Sequence, residues 1–149
     1  MDIKGYLKDK AVGFYVTAGV AVLCLLSAIL YVVIFSSIDE MIKVSWGVFV
    51  FLLLGFILTM ACLILPLFVP FLKEWLLPIA PYVIGAASII GLCLFMPSGY
   101  DYASKNMIGA VRLEFGFFLC AAFFLITALA GTAGIFIKVI KKEKKEASV

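Results

Sequence analysis

The sequence predicts an all-α polytopic membrane protein, a four-helix transmembrane bundle with both termini in the cytoplasm. Composition is the first reason. Of 149 residues, 66% are hydrophobic and 14% charged, whereas soluble domains run nearer half apolar and a quarter charged. Mean hydropathy is +1.24, which also excludes a disordered chain. The second reason is distribution. The apolar residues fall into four uncharged blocks, each near the roughly 20 residues a helix needs to cross a hydrocarbon core. The third is elimination. Four strands cannot close a barrel, and lipid does not tolerate an open sheet edge. At this length the chain forms a single transmembrane domain over 1–149.

The first span is read from Ala11 to Phe35. Lys4, Lys8 and Lys10 precede it, as in a signal peptide. Its apolar run is about twice a normal signal h-region and no A-x-A site closes it, so a retained anchor is expected. Ser36, Ser37, Asp39 and Glu40 mark the first turn. The second span runs from Val44 to about Val69. Pro66 and Pro70 each remove a helical hydrogen bond, so a kinked or unwound end is expected there. The third span is read from about Leu77 to Met96, with Pro78 and Pro81 in or near its first turn, where proline is tolerated. Pro97-Ser98-Gly99 is expected to stop it. The fourth span runs from Phe115 to Ile137.

Orientation follows from the lysine and arginine distribution. With both termini on one side, that side holds Lys4, Lys8, Lys10, Lys73, Lys138, Lys141, Lys142, Lys144 and Lys145. The opposite side holds Lys43, Lys105 and Arg112. The first set is three times the second, which assigns 1–10 and 138–149 to the cytoplasm and 97–114 to an outer loop. Trp46 and Trp75 then fall at opposite interfaces, as belt residues do. Tyr6, Tyr82, Tyr100 and Tyr102 also fall near span ends.

Several function classes are excluded by what is missing. The chain has no His, so His-ligated haem, His-bound zinc and imidazole proton relays are impossible. Its net charge of +3 sits mostly at the ends and offers no groove for nucleic acid. No Asp, Glu, Lys or Arg lies within a span, which argues against proton-coupled transport and ion pumping. No nucleophile–base or acid–base pair can be assembled. A non-catalytic protein with no cofactor and no metal is expected.

The remaining candidates are packing and contact residues. Gly13, Thr17 and Ala21 recur every four residues in the first span, and Ala130 and Gly134 do so in the fourth. Such small-xxx-small stripes let helices approach closely in lipid. They serve either the bundle's own packing or a partner's helix, and Gly134 is the position chosen to test the second. The opposite side of the fourth span is bulky, with Phe117, Phe118, Phe123 and Phe124. In the outer loop, Tyr100, Asp101, Tyr102, Lys105, Asn106, Arg112 and Glu114 are the candidates for an external contact. Asp101 and Lys105 are spaced and ordered for a helical ion pair, so a short interfacial helix or an early start to the fourth span is expected there. The cysteines fall one per span, as Cys24, Cys62, Cys93 and Cys120. Their apolar flanks suit packing better than thiol chemistry, although Cys93 and Cys120 lie in adjacent spans. Thr17, Ser27, Thr59, Ser88, Thr127 and Thr132 are the polar groups available to a solute path.

Lys10-Ala11-Val12-Gly13-Phe14-Tyr15, Ser45-Trp46 and Ala80-Pro81-Tyr82-Val83 resemble a group of small, uncharacterised four-span membrane proteins of Gram-positive gut bacteria. The resemblance covers the first three spans. The chain departs from it at Leu94 to Ser98, where the group implies a Tyr-rich segment. The resemblance implies a small plasma-membrane protein encoded beside carbohydrate importers, and it supplies no catalytic residues. The combined expectation is an accessory subunit packing against a larger membrane complex such as an ABC-type carbohydrate importer. A small homo-oligomeric transporter or channel is the alternative, and a membrane thiol redox protein the second alternative. The expected partners are the lipid bilayer and either a larger membrane protein or further copies of the chain.

Overall fold

The computed structural model describes residues 11–37, 46–107 and 115–139, the side chains of Ser37 and Asn106 excepted. These residues form four helices: α1 (Val12–Ser37), α2 (Trp46–Phe68), α3 (Lys73–Met107) and α4 (Phe115–Ile135). Each is long and apolar enough to cross a membrane. Each packs beside its sequence neighbours, and α4 closes the ring against α1. The start of α1 meets the end of α4, and the end of α1 meets the later part of α3. The topology is therefore up-down-up-down.

The turn between α2 and α3 has a local cause. Pro70 disfavours helical backbone at the residue before it, and Val69 is accordingly extended, with φ −126° and ψ 91°. The chain turns through one 3-10 turn, Pro70–Leu72, and α3 begins at Lys73. Pro66, expected to disturb this end too, is accommodated inside α2. Because α3 starts at Lys73, Pro78 and Pro81 lie inside the helix, beyond its first turn.

The largest departure from expectation is the far end of α3. Pro97-Ser98-Gly99 does not stop it, and the helix continues to Met107. Thus 97–107 is helix, and residues 108–114 lie outside the described residues. At 1.5 Å per residue the helix is about 50 Å long. Proline removes only one ladder bond and disfavours its surroundings by about 3 kcal/mol, and tertiary contacts outweigh that here. Ser98 Oγ lies 3.2 Å from Tyr31 Oη. Phe95 stacks on Phe124 with centroids 4.6 Å apart. Tyr102, fully buried, stacks on Phe117 at 4.5 Å. The Asp101–Lys105 pair forms as its spacing predicts, at 2.8 Å, on this extension of α3.

Small residues set the helix separations. A side chain on Gly55 of α2 would run into the Cβ of Ala87 on α3. A Cβ on Gly131 of α4 would lie 3.3 Å from the Cα of Gly85 on α3. Van der Waals contact is the main force between helices in an apolar medium, so close approach is itself stabilising. One end of the bundle is sealed by Phe14, Leu63, Leu77, Ala80 and Val139. The other is sealed by an aromatic cluster around Tyr31, Phe35, Phe95 and Phe124.

Candidate functional site

The bundle is apolar outside as well as inside, unlike a soluble protein. Large apolar side chains point outward, among them Val33, Phe51, Leu58, Trp75, Leu129 and Phe136. The buried polar residues are hydroxyl-bearing: Thr17, Ser27, Thr59, Ser88, Ser98 and Thr127. Among the described residues no charged side chain is buried.

Geometry shows why those hydroxyls are tolerated. Thr17, Thr59 and Ser88 each donate to the carbonyl four residues earlier, at 2.7 Å. Ser27 donates to Leu23 at 2.9 Å, and Thr127 to Phe123 at 2.6 Å. Their own helices therefore satisfy them, and no ligand is needed. Ser27 Oγ and Thr127 Oγ1 also lie 3.0 Å apart across the α1–α4 seam, so either can turn its single proton from its own helix to the other hydroxyl. Interhelical hydroxyl contacts of this kind average about 0.6 kcal/mol in membranes. A double-mutant cycle with Ser27→Ala and Thr127→Ala, read by unfolding in detergent, is expected to give a coupling below about 1 kcal/mol. A coupling of several kcal/mol would mean that the pair does more than pack. Thr132, the sixth hydroxyl of the anticipated polar path, is exposed and donates to Ala128.

The small-residue candidates are placed mostly inside the chain's own packing. Thr17 and Ala21 are 1% and 0% exposed. Gly13 is buried against the backbone oxygens of Ile137 and Lys138. Gly134 is buried, with Val16 as its nearest neighbour. Ala130 is half-buried and packs against the main core cluster. Within this chain, Gly13 meets the backbone after α4 and Gly134 faces Val16 of α1, so these two glycines serve the α1–α4 approach. Gly19 is the contrasting case. It faces outward, with nothing within 4 Å of where a Cβ would stand.

Gly13 belongs to an arrangement that spacing alone did not suggest. Ala11 N–H donates to Val139 O and Gly13 N–H to Lys138 O, both at 3.2 Å. The first N–H groups of a helix have no partner within it. Here the backbone just beyond α4 supplies the carbonyls, while the end of α4 tightens through Phe136 N–H to Ala133 O and Ile137 N–H to Gly134 O. The start of α1 is thus capped by the backbone that follows α4.

The contact residues expected in an outer loop are divided. Tyr100 is 78% exposed. Asp101 and Lys105 are half-buried and paired to each other. Tyr102 is corrected to a core residue, held by Phe35 and Phe117. The side chain of Asn106, and Arg112 and Glu114 entirely, lie outside the described residues. Cys24 and Cys120 are buried, Cys62 is half-buried and Cys93 faces outward, all four as free thiols. Cys93 and Cys120 are therefore not joined. Among the described residues no three Cys, Asp or Glu side chains converge as a metal site requires.

Together these features define an all-helical four-helix bundle whose helices have membrane-spanning length and composition. No family model matches the chain, and no curated protein or solved structure matches it.

Proposed function

We propose that the chain is a multi-pass plasma-membrane protein with cytoplasmic termini, acting without catalysis as an accessory subunit beside a larger membrane complex. One observation carries the reading. The few polar groups of the apolar interior are closed on themselves, with the hydroxyls of Thr17, Ser27, Thr59, Ser88 and Thr127 answered by carbonyls of their own helices. Both ends of the bundle are sealed by side chains. A solute path through one copy has no polar lining left to use, while the outward faces of all four helices remain available for lateral packing. An importer as host is supported only by the resemblance of the first three spans.

Mild detergent extraction from the native membrane, then size exclusion and mass spectrometry of co-migrating chains, tests this. Stoichiometric larger subunits are the expected result. A particle containing only this chain overturns the accessory role. Several copies per particle, with solute flux in liposomes, would establish a homo-oligomeric transporter in its place.

A further inference from the structure

An amphipathic cleft opens where α3 begins and α4 ends. It encloses about 340 Å³ between Pro78, Pro81 and Tyr82 on one side and Ile135, Ile137 and Lys138 on the other. Its origin is visible in the packing. Gly85 lies against Gly131 and Ile135, which draws α3 and α4 together at that level. Beyond Ile135 the chain leaves the helix and gives its carbonyls to the start of α1. The first turns of α3 then lose their close neighbour on that side. The backbone oxygen of Lys138 is committed to Gly13, but its side chain is exposed and has no acidic partner among the described residues.

We propose that this cleft seats an anionic glycerophospholipid, with its phosphate at the Lys138 ammonium and the Tyr82 hydroxyl and an acyl chain along the proline and isoleucine walls. The proposal rests on the membrane reading above. Charge and shape select the occupant. Most of the lining residues are apolar, and the two polar ones, Lys138 and Tyr82, carry an ammonium and a phenol that can both donate hydrogen bonds to phosphate. Lys73 and Glu74 at the start of α3 carry opposite charges, so among the described residues at this end the net sign is that of Lys138. Basic pockets between spans on the cytoplasmic side recognise acidic headgroups on this principle. A free phosphate would use the cation and leave the apolar walls empty. In a bilayer the surrounding solvent is acyl chain, which fills them.

The test uses the full chain. Membranes are first washed with alkaline carbonate, and loss of the protein at that step would defeat the membrane reading before any lipid is counted. Retained protein is purified in mild detergent, exposed to phosphatidylglycerol or phosphatidylcholine, and examined by native mass spectrometry. Preferential retention of phosphatidylglycerol is expected, lowered about fivefold by Lys138→Gln. Tyr82→Phe, which keeps the ring, is expected to lower it further when combined with Lys138→Gln. Replacing Lys141 and Lys142 by Gln is expected to leave most of the binding. Equal retention of the two lipids, an unaffected Lys138→Gln protein, or loss only in the tail variant would each overturn the site.

Discussion

Gly55→Leu is expected to open the α2–α3 seam and lower the melting temperature sharply in detergent. A Cβ at this position already runs into the Cβ of Ala87, so the helices must separate to admit a larger side chain. Separation costs more than the local clash. Next along the seam Leu52 lies over Gly91, and Cys24 Sγ reaches the Leu52 carbonyl at 3.6 Å. Shifting α2 therefore loosens its contacts with both α1 and α3. Overpacking of a tight core costs about 1–3 kcal/mol, occasionally more, and the coupled contacts place this variant at or above the upper end. Gly19→Leu is the matched control. It makes the same chemical change on a helix of similar composition, but into open space. Leucine is also the better helix former by nearly 1 kcal/mol, so Gly19→Leu is expected to melt at or above the parent temperature. If both variants melt alike, the seam is not where the bundle's packing energy lies.

The difference between these two glycines marks what sequence could and could not reveal. Span number and approximate span positions were legible because an apolar medium forces the backbone to bond internally, which leaves long uncharged runs as the record. Facing was not legible. A soluble helix separates its buried and exposed sides by polarity, but α1 presents Val20 inward and Val22 outward. Nothing in the spacing of Gly13, Thr17 and Ala21 distinguishes a stripe that packs inside the bundle from one that meets a partner. Small residues recorded close approach without recording to what.

The end of α3 is hidden from the sequence for a different reason. Pro97-Ser98-Gly99 is a local stop signal, and read locally it stops the helix. The contacts that override it come from residues distant in sequence: Tyr31 on Ser98, Phe117 on Tyr102 and Phe124 on Phe95. The Asp101–Lys105 pair was the legible hint, since its spacing has value only on a helix. It identified the conformation and not the helix to which the segment belongs. The cleft beside Lys138 was equally hidden, because it arises from the path of the chain after Ile135 and carries no motif.

That chain end also determines the outcome expected for Gly13→Ala, a substitution helix propensity would favour. Alanine gains about 0.5–1 kcal/mol over glycine inside a helix. At position 13 the added Cβ would lie 2.5 Å from Lys138 O and 2.6 Å from Ile137 O. These are backbone atoms and cannot rotate away, so the end of α4 must withdraw. Withdrawal breaks Gly13 N–H to Lys138 O and strains Ala11 N–H to Val139 O. A buried donor left without a partner costs about 1–3 kcal/mol, so losing the Gly13 bond leaves, after the propensity gain, a net loss of up to about 2.5 kcal/mol. Hydrogen exchange supplies a local readout: the amides of residues 11 and 13 should exchange slowly in the parent and quickly in the variant, with a lower melting temperature. Gly134→Ala supplies the comparison from the same small-residue set. Its Cβ would meet only Val16, at an ordinary contact distance of 3.9 Å, and unchanged or slightly raised stability is expected. Equal stability of the Gly13→Ala and Gly134→Ala proteins, with amides 11 and 13 still protected, would show that the backbone after α4 does not cap α1. The opposite result would establish that the start of α1 depends on backbone more than 120 residues away in sequence, since a helix end in an apolar medium finds no water to complete it.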